Sequence, residues 1–279
     1  MQDPPAAQLD TIAARIAAEA AHEDTISPPA AAFLLRQYLA TGGDDLGEVL
    51  GVALAHALAA AAAAASVVER AAWLTVLAEA TAIADDERVV EAVTALASAL
   101  SAAWPSADGL RDGVASVDAC LRACVADASL GLVPAAIDEL ERAVAAAYRP
   151  GVGLIDPQSA AAARSADHVR AASALLTAFE LTGRLPYSML AEELIQIARR
   201  TLAADGDFAT CCETARVLCR LAALHGVAEY RAAAVIADGA DYGADAARLL
   251  AAQAAHVAAA STAHAALYGV ALRDVMSLR

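Results

Sequence analysis

The sequence predicts an all-α fold built from about six helical hairpins. Three observations predict it. Apolar residues recur at three- and four-residue steps through most of the 279 residues, with alanine dominating a 59% hydrophobic fraction. Glycine, proline and acidic turn signals punctuate these runs at roughly 35–50-residue intervals, the range of helical repeat folds. No strand-like alternation competes anywhere in the chain.

Taken in order, residues 6–22 form a helix that ends before the Ser27-Pro28-Pro29 break. Residues 30–40 and 46–65 make the first hairpin around Thr41-Gly42-Gly43-Asp44-Asp45. The second pairs 67–83 with 87–103 across Asp85-Asp86 and is closed by Trp104-Pro105. The third pairs 115–129 with 135–148 and is closed by Arg149-Pro150-Gly151. The loop GVGLIDPQS follows, and its Gly151-Val152-Gly153 reads as a turn, because no strand precedes it to make a phosphate cradle. The fourth hairpin, 166–202, is the most complete. Its first helix carries Leu175, Leu176 and Phe179 on one stripe, Asp167 supplies an acid to the first turn, Gly183 stops it and Pro186 opens the next helix. The fifth pairs 209–224 with 227–238, and the last pairs about 244–259 with 262–276. One domain spans 1–279, with 1–27 as a helical extension and 28–279 as the hairpin ring. First helices more apolar than second ones favour an inner and an outer layer, an (α/α)6 toroid; an open solenoid is the alternative.

Charge and residue usage exclude several functions. A net charge of −15 disfavours nucleic acid and anionic membrane surfaces as partners. The chain has no lysine and no asparagine, which removes a Schiff base, a P-loop lysine and N-glycosylation. Residues 49–68 and 249–272 carry no charge and are long enough to span a bilayer, but they read as buried helices of a soluble protein because alanine gains little in lipid. Five unevenly placed cysteines and an acidic N-terminus lacking a signal-peptide pattern predict a cytoplasmic protein with reduced thiols.

Three stretches resemble a known family. FLLRQYLATGGDDLGEVLGVAL (33–54) is similar to the first hairpin of the helical toroid of thioredoxin-domain-containing six-hairpin proteins, and more distantly of the N-acylglucosamine 2-epimerase-like toroids. ASVVERAAWLTVLAEA (65–80) looks like the second inner helix, with Glu69-Arg70 in place of an acidic-basic pair. DFATCCETARVLCRLAALHGVAEYRAAA (207–234) is similar to a later hairpin, with Thr-Cys-Cys where the family carries Ser-Gly-Asn. The chain has neither a thioredoxin domain nor a Cys-x-x-Cys. The resemblance implies a cleft over the N-terminal ends of the inner helices.

Around that mouth the candidate catalytic residues are Asp167, His168, Glu69 and Asp118, where carboxylates could serve as acid and base for sugar chemistry. Arg70, Trp73, Arg170, Cys211, Cys212 and Glu213 are the candidate ligand-binding residues. Asp167, Asp118 and Glu213 equally fit plain service at helix N-termini. Cys211-Cys212 fits either a reactive pair with lowered pKa or small core residues. Cysteine and histidine spacing lacks a metal-site pattern, and no metal or cofactor is expected. The leading functional expectation is a non-catalytic binding or assembly module with a protein partner or a small sugar-like ligand. The alternative is a carbohydrate-active epimerase, isomerase or hydrolase.

Overall fold

The computed structural model describes residues 4–22, 25–104, 109–156, 161–233 and 240–278. It is 82% helical, with thirteen α-helices among the described residues. Helix α1 spans Pro4–Ala20 and α2 spans Pro28–Thr41. Ser27 caps α2 by accepting from the Ala30 N–H, and Pro28 fits the first turn, where an N–H would have no partner. Gly42 ends α2 at φ 65°, and α3 runs from Asp44 to Ala63. Ser66 caps α4 (Val67–Ala80) and Asp86 caps α5 (Glu87–Ala103). After α6 (Leu110–Ala126) and α7 (Val133–Ala147), α8 (Ser165–Thr182) ends on Gly183 at φ 67°. The two Thr-Gly turns thus stop their helices by the same left-handed geometry. Pro186 opens α9 (Leu185–Asp205). Asp207 caps α10 (Phe208–Gly226), which is followed by the short α11 (Ala228–Ala233). Asp241 and Ser261 cap α12 (Tyr242–Gln253) and α13 (Thr262–Met276).

Neighbour relations run in a cycle. Helix α2 packs against α4, α4 against α6, α6 against α8, α8 against α10, α10 against α13, and α13 returns to α2. The remaining long helices cover the seams: α3 lies on α2 and α4, α5 on α4 and α6, α7 on α6 and α8, and α9 on α8 and α10. Helices of the cycle are buried on several sides; Phe33, Leu34, Leu74, Leu77, Leu121 and Leu176 have no solvent exposure. The covering helices bury one stripe, as amphipathic helices do. On α5 that stripe is Val89, Val93, Leu96 and Leu100.

Three expectations change. The last two long helices are not partners of each other in the expected sense: α12 packs chiefly on α10, and α13 belongs to the inner cycle. The outer cover of α13 is α1, which also touches α2 and α3, with Leu9, Ile12 and Ile16 at most 3% exposed. Helix α1, expected as an extension, therefore packs into the core against α13, α2 and α3. The apolar segment 49–68 is not a buried helix either. It lies mainly on α3, where 22% of the most apolar window is buried. By length and composition that helix, with mean hydropathy 1.7, is long and apolar enough to cross a membrane. The segment 249–272 is broken between α12 and α13 by a 3-10 turn at Ala254–His256.

A small β-hairpin also appears where none was expected. Strand β1 (Tyr148–Arg149) pairs antiparallel with β2 (Gly153–Leu154). The turn glycines take φ 75° at Gly151 and 97° at Gly153. A Cβ on Gly153 would lie 2.7 Å from His168 Nε2, so this position needs glycine for both backbone and space.

Candidate functional site

The six helices of the inner cycle contribute polar side chains that join into a charged belt. Arg36 on α2 binds Glu79 on α4 (2.8 Å) and Asp274 on α13 (3.1 Å). Arg216 on α10 takes the other oxygen of Asp274 (3.0 Å) and reaches Glu213 (3.2 Å). On the opposite arc, Arg122 donates to Asp118 (3.1 Å) and to the Ser173 hydroxyl (2.9 Å), and Thr177 donates to Asp118 (2.8 Å). Arg220 completes this arc by donating to Thr177, to the Ser173 carbonyl and to Glu180.

The two arcs lie within electrostatic reach of each other. Burial opposes ionisation of Glu79, yet Arg36, helped by Arg216 and Arg122, outweighs it and holds the carboxyl below its ordinary value. Burial likewise opposes ionisation of Asp118, and Arg122 and Arg220 overcome it. Burial disfavours the Arg216 cation, but Glu213, Asp274 and Glu79 together raise its pKa. Arg220 goes the other way, lowered by burial and by the neighbouring Arg122. Side chains of Arg36, Glu79, Asp274, Arg122, Asp118 and Arg216 keep 15–29% exposure, so some solvent still reaches them. Their pairing is therefore screened more than that of a dry ion pair.

A cleft of about 510 Å³ opens at one end of this belt, lined by Arg36, Leu39, Glu79, Ala126, Arg273 and Asp274 among others. These residues lie at the C-terminal ends of α2, α4, α6 and α13, the end opposite to the expected mouth.

The expected site residues scatter. Asp118 is in the belt, and Glu213 joins it through Arg216. Asp167 sits in the first turn of α8, accepts the Arg164 N–H at 3.3 Å and lies 3.6 Å from Arg170. Arg170 is half-buried; burial and Arg111 lower its pKa, while Asp167, Glu213 and Asp112 act against them. Arg170 is thus within electrostatic reach of both Asp167 and Glu213. His168 does not join them. It is 2% exposed, its Nε2 accepts the Leu154 N–H at 3.0 Å and its Nδ1 lies 3.0 Å from the Arg164 carbonyl. Both ring nitrogens are engaged by backbone, which fixes the Nδ1–H tautomer and ties β2 to α8.

Trp73 is 1% exposed core, with no partner for its indole N–H in the described structure, so it offers no sugar platform. Glu69 is exposed in the first turn of α4, where its N–H is capped by Ser66. Arg70 turns back to donate to the Ala64 carbonyl just past α3 (2.9 Å). Cys211 and Cys212 are 7% and 0% exposed, and burial pushes both thiols up, Cys212 to about 12. The helix start does not activate them, because desolvation dominates. Among the described residues no group of three or more His, Cys, Asp or Glu could hold a metal ion.

Sequence reasoning missed Arg36, Glu79, Arg122, Arg216, Arg220 and Asp274. The signal was present: single charges embedded in apolar inner-helix runs, as in FLLRQYL, LTVLAEA and RVLCRLA. A second polar cluster was also missed. Glu192 on α9 is fully buried and its Oε1 receives both His225 (3.0 Å) and the Tyr242 hydroxyl, while Oε2 has no partner. Burial and Glu192 together raise the Tyr242 pKa. The chain matches no family model, no curated protein and no solved structure.

Proposed function

We propose that the helix cycle is a closed (α/α)6 toroid of the six-hairpin type, lacking a thioredoxin domain, and that it works as a non-catalytic binding or assembly module. The cyclic neighbour order of α2, α4, α6, α8, α10 and α13 supports the toroid. The charged belt carries the functional reading. Acids that could serve a reaction at the centre are already held by arginines: Glu79 and Asp274 by Arg36, Asp118 by Arg122, and Glu213 by Arg216. A general acid or base needs a proton to exchange with substrate near neutral pH. Glu79 and Asp118, held below their ordinary range, are poorly suited to that task, and Asp274 and Glu213 are taken up by ion pairs. The partner would be a protein or a small sugar-like ligand, in a cytoplasmic setting that the five free thiols favour.

A carbohydrate-active enzyme is the second reading, favoured by Arg170 lying within electrostatic reach of both Asp167 and Glu213. Thermal unfolding against sugars, sugar phosphates, nucleotides and metal ions separates the two, because a ligand specific to the folded state raises the midpoint. No shift across the panel favours a protein partner for the module. A clear rise with one sugar class, abolished by Arg170→Ala with Glu213→Gln, favours a sugar at these residues, and turnover of that sugar by the wild-type chain would replace the module with the enzyme.

A further inference from the structure

The outer layer is uneven in charge. Helices α7 and α9 carry charges at exposed positions, Asp138, Glu141 and Arg142 on α7 and Arg200 on α9. Between Glu48 and Glu69, α3 and its C-terminal flank carry none, and α5 carries none from Ala92 to its end. These two helices pack side by side. Beyond Glu48 the exposed positions of α3 are Gly51, Val52, Ala55, Ala59, Ala62 and Ala63; on α5 they include Val90, Thr94, Ala95, Ser98 and Ala102. Val52 and Val90 are large apolar residues with 48% and 46% of their surface in water. Together the helices form a contiguous face that is uncharged beyond its first turns.

We propose that this α3–α5 face is where a second copy of the chain docks, forming a two-fold dimer. Three arguments select a copy of itself. First, two chains of net charge −15 repel each other, and repulsion and charge desolvation are least where neither surface bears charge. Second, the remaining charges fix an orientation. Each of the two helices follows an inner helix through a short turn, so both run the same way. Their charged residues therefore share one end: Asp44, Asp45 and Glu48 on α3, and Glu87, Arg88 and Glu91 on α5. An antiparallel two-fold crossing, the isologous arrangement, separates those acidic ends by much more than the ~8 Å screening length at physiological salt. Third, the area fits a weak contact. The uncharged stretch is ~20 Å long, from Val49 to Ala63 on α3 and from Ala92 to Ala103 on α5, and two helices, about 20 Å, wide, giving ~400 Å² per copy and ~800 Å² in total, the scale of a weak, transient association. Alanine and glycine at the contact permit close helix approach. A lipid surface fits less well, since a helix lying on a membrane uses Lys or Arg on its polar side and α3 has neither.

The proposal rests on α3 and α5 alone and is independent of whether the charged belt excludes catalysis. Sedimentation equilibrium of the full chain, from about 1 to 200 µM because an ~800 Å² contact predicts a weak, concentration-dependent association, should show a monomer–dimer equilibrium. The double variant Ala55→Glu, Ala59→Glu, changing two exposed positions, should keep the wild-type melting midpoint and lose the dimer, weakening association at least tenfold. A wild-type chain that stays monomeric throughout overturns the proposal. So does a folded double variant that still dimerises, which would put the interface elsewhere. Binding of the monomer to neutral phosphatidylcholine vesicles, abolished by the same variant, would assign the face to lipid instead.

Discussion

Charge inside and alanine outside distinguish two regions of this molecule. In the belt, Arg36, Arg122 and Arg216 stand among Glu79, Asp118 and Asp274, each within 3.1 Å of an opposite charge or, for Arg216, 3.0 Å. On the α3–α5 wall, Val52, Ala55, Ala59 and Ala62 face water with no charge among them. Ionised groups are taken into protein only where partners replace lost hydration, so the belt is specified residue by residue. An exposed alanine demands nothing of its neighbours and leaves the wall underdetermined by the fold. The two regions should therefore respond oppositely to substitution.

Breaking the belt carries the largest effect. Arg216→Ala leaves Asp274 half-compensated and Glu213 without its partner, and should cost ~2–4 kcal/mol by denaturant titration, less than for a dry pair because solvent reaches these groups. Replacing Arg216 and Asp274 together by Met and Leu should restore part of that loss, since apolar groups need no partner. Equal destabilisation by the single and double variants would show that the belt acts through packing alone. The comparison extends to His168, which the sequence offers as a catalyst. His168→Ala leaves the Leu154 N–H unpaired and opens a void beneath Gly153, at an expected ~2–3 kcal/mol. Asp167→Ala removes only a helix-start contact, at ~1 kcal/mol. The reverse ranking would return the pair to the catalytic reading.

Titration sharpens the contrast further. Glu79 and Asp118 have native pKa values below their ordinary 4.5 and 3.8. Their contribution is complete above those ordinary values and is lost as pH falls through the lower native ones. Thermal midpoints should therefore drop on acidification below about pH 4, and the drop should shrink in Glu79→Gln, whose carboxyl no longer titrates. Cys120, Cys212 and Cys219 are raised to about 12 by burial. Unfolded thiols ionise near 8.5, so stability should decline as pH rises from there towards 12, and native thiols should react slowly with thiol reagents at pH 8. The smallest effect belongs to the wall: Ala59→Glu should leave fold stability within about 0.5 kcal/mol.

Much of the fold was legible in the chain. The boundaries expected at 87–103 and 262–276 are those observed, and both Thr-Gly turns stop their helices as glycine permits. Periodicity reports that a helix exists and which stripe is apolar, but not which neighbour covers the stripe. Hence periodicity alone pairs α12 with α13 rather than α10 and sets α1 outside the core. Helix α6 starts at Leu110, five residues before the expected 115, because Arg111 and Asp112 follow Leu110 before the apolar stripe begins. The β-hairpin at 148–154 was invisible because two-residue strands have no alternation to detect. Site residues were read from helix starts, where acids stand out, although Arg36, Glu79 and Arg216 lie in the middle or last turns of their helices. A lone charge inside an apolar run was the better guide, since burial leaves it only where a partner waits.

The contact between α1 and α13 bears on how the chain is made. Ribosomes release α1 first and α13 some 240 residues later. Throughout that interval Leu9, Ile12 and Ile16 have no α13 to cover them. Closing so long a loop costs more entropy than any hairpin within the chain and slows the final step. Nascent chains should thus collect as a helical arc whose two ends remain sticky, and that arc is the species for which a chaperone, or a neighbouring polysome product, would compete.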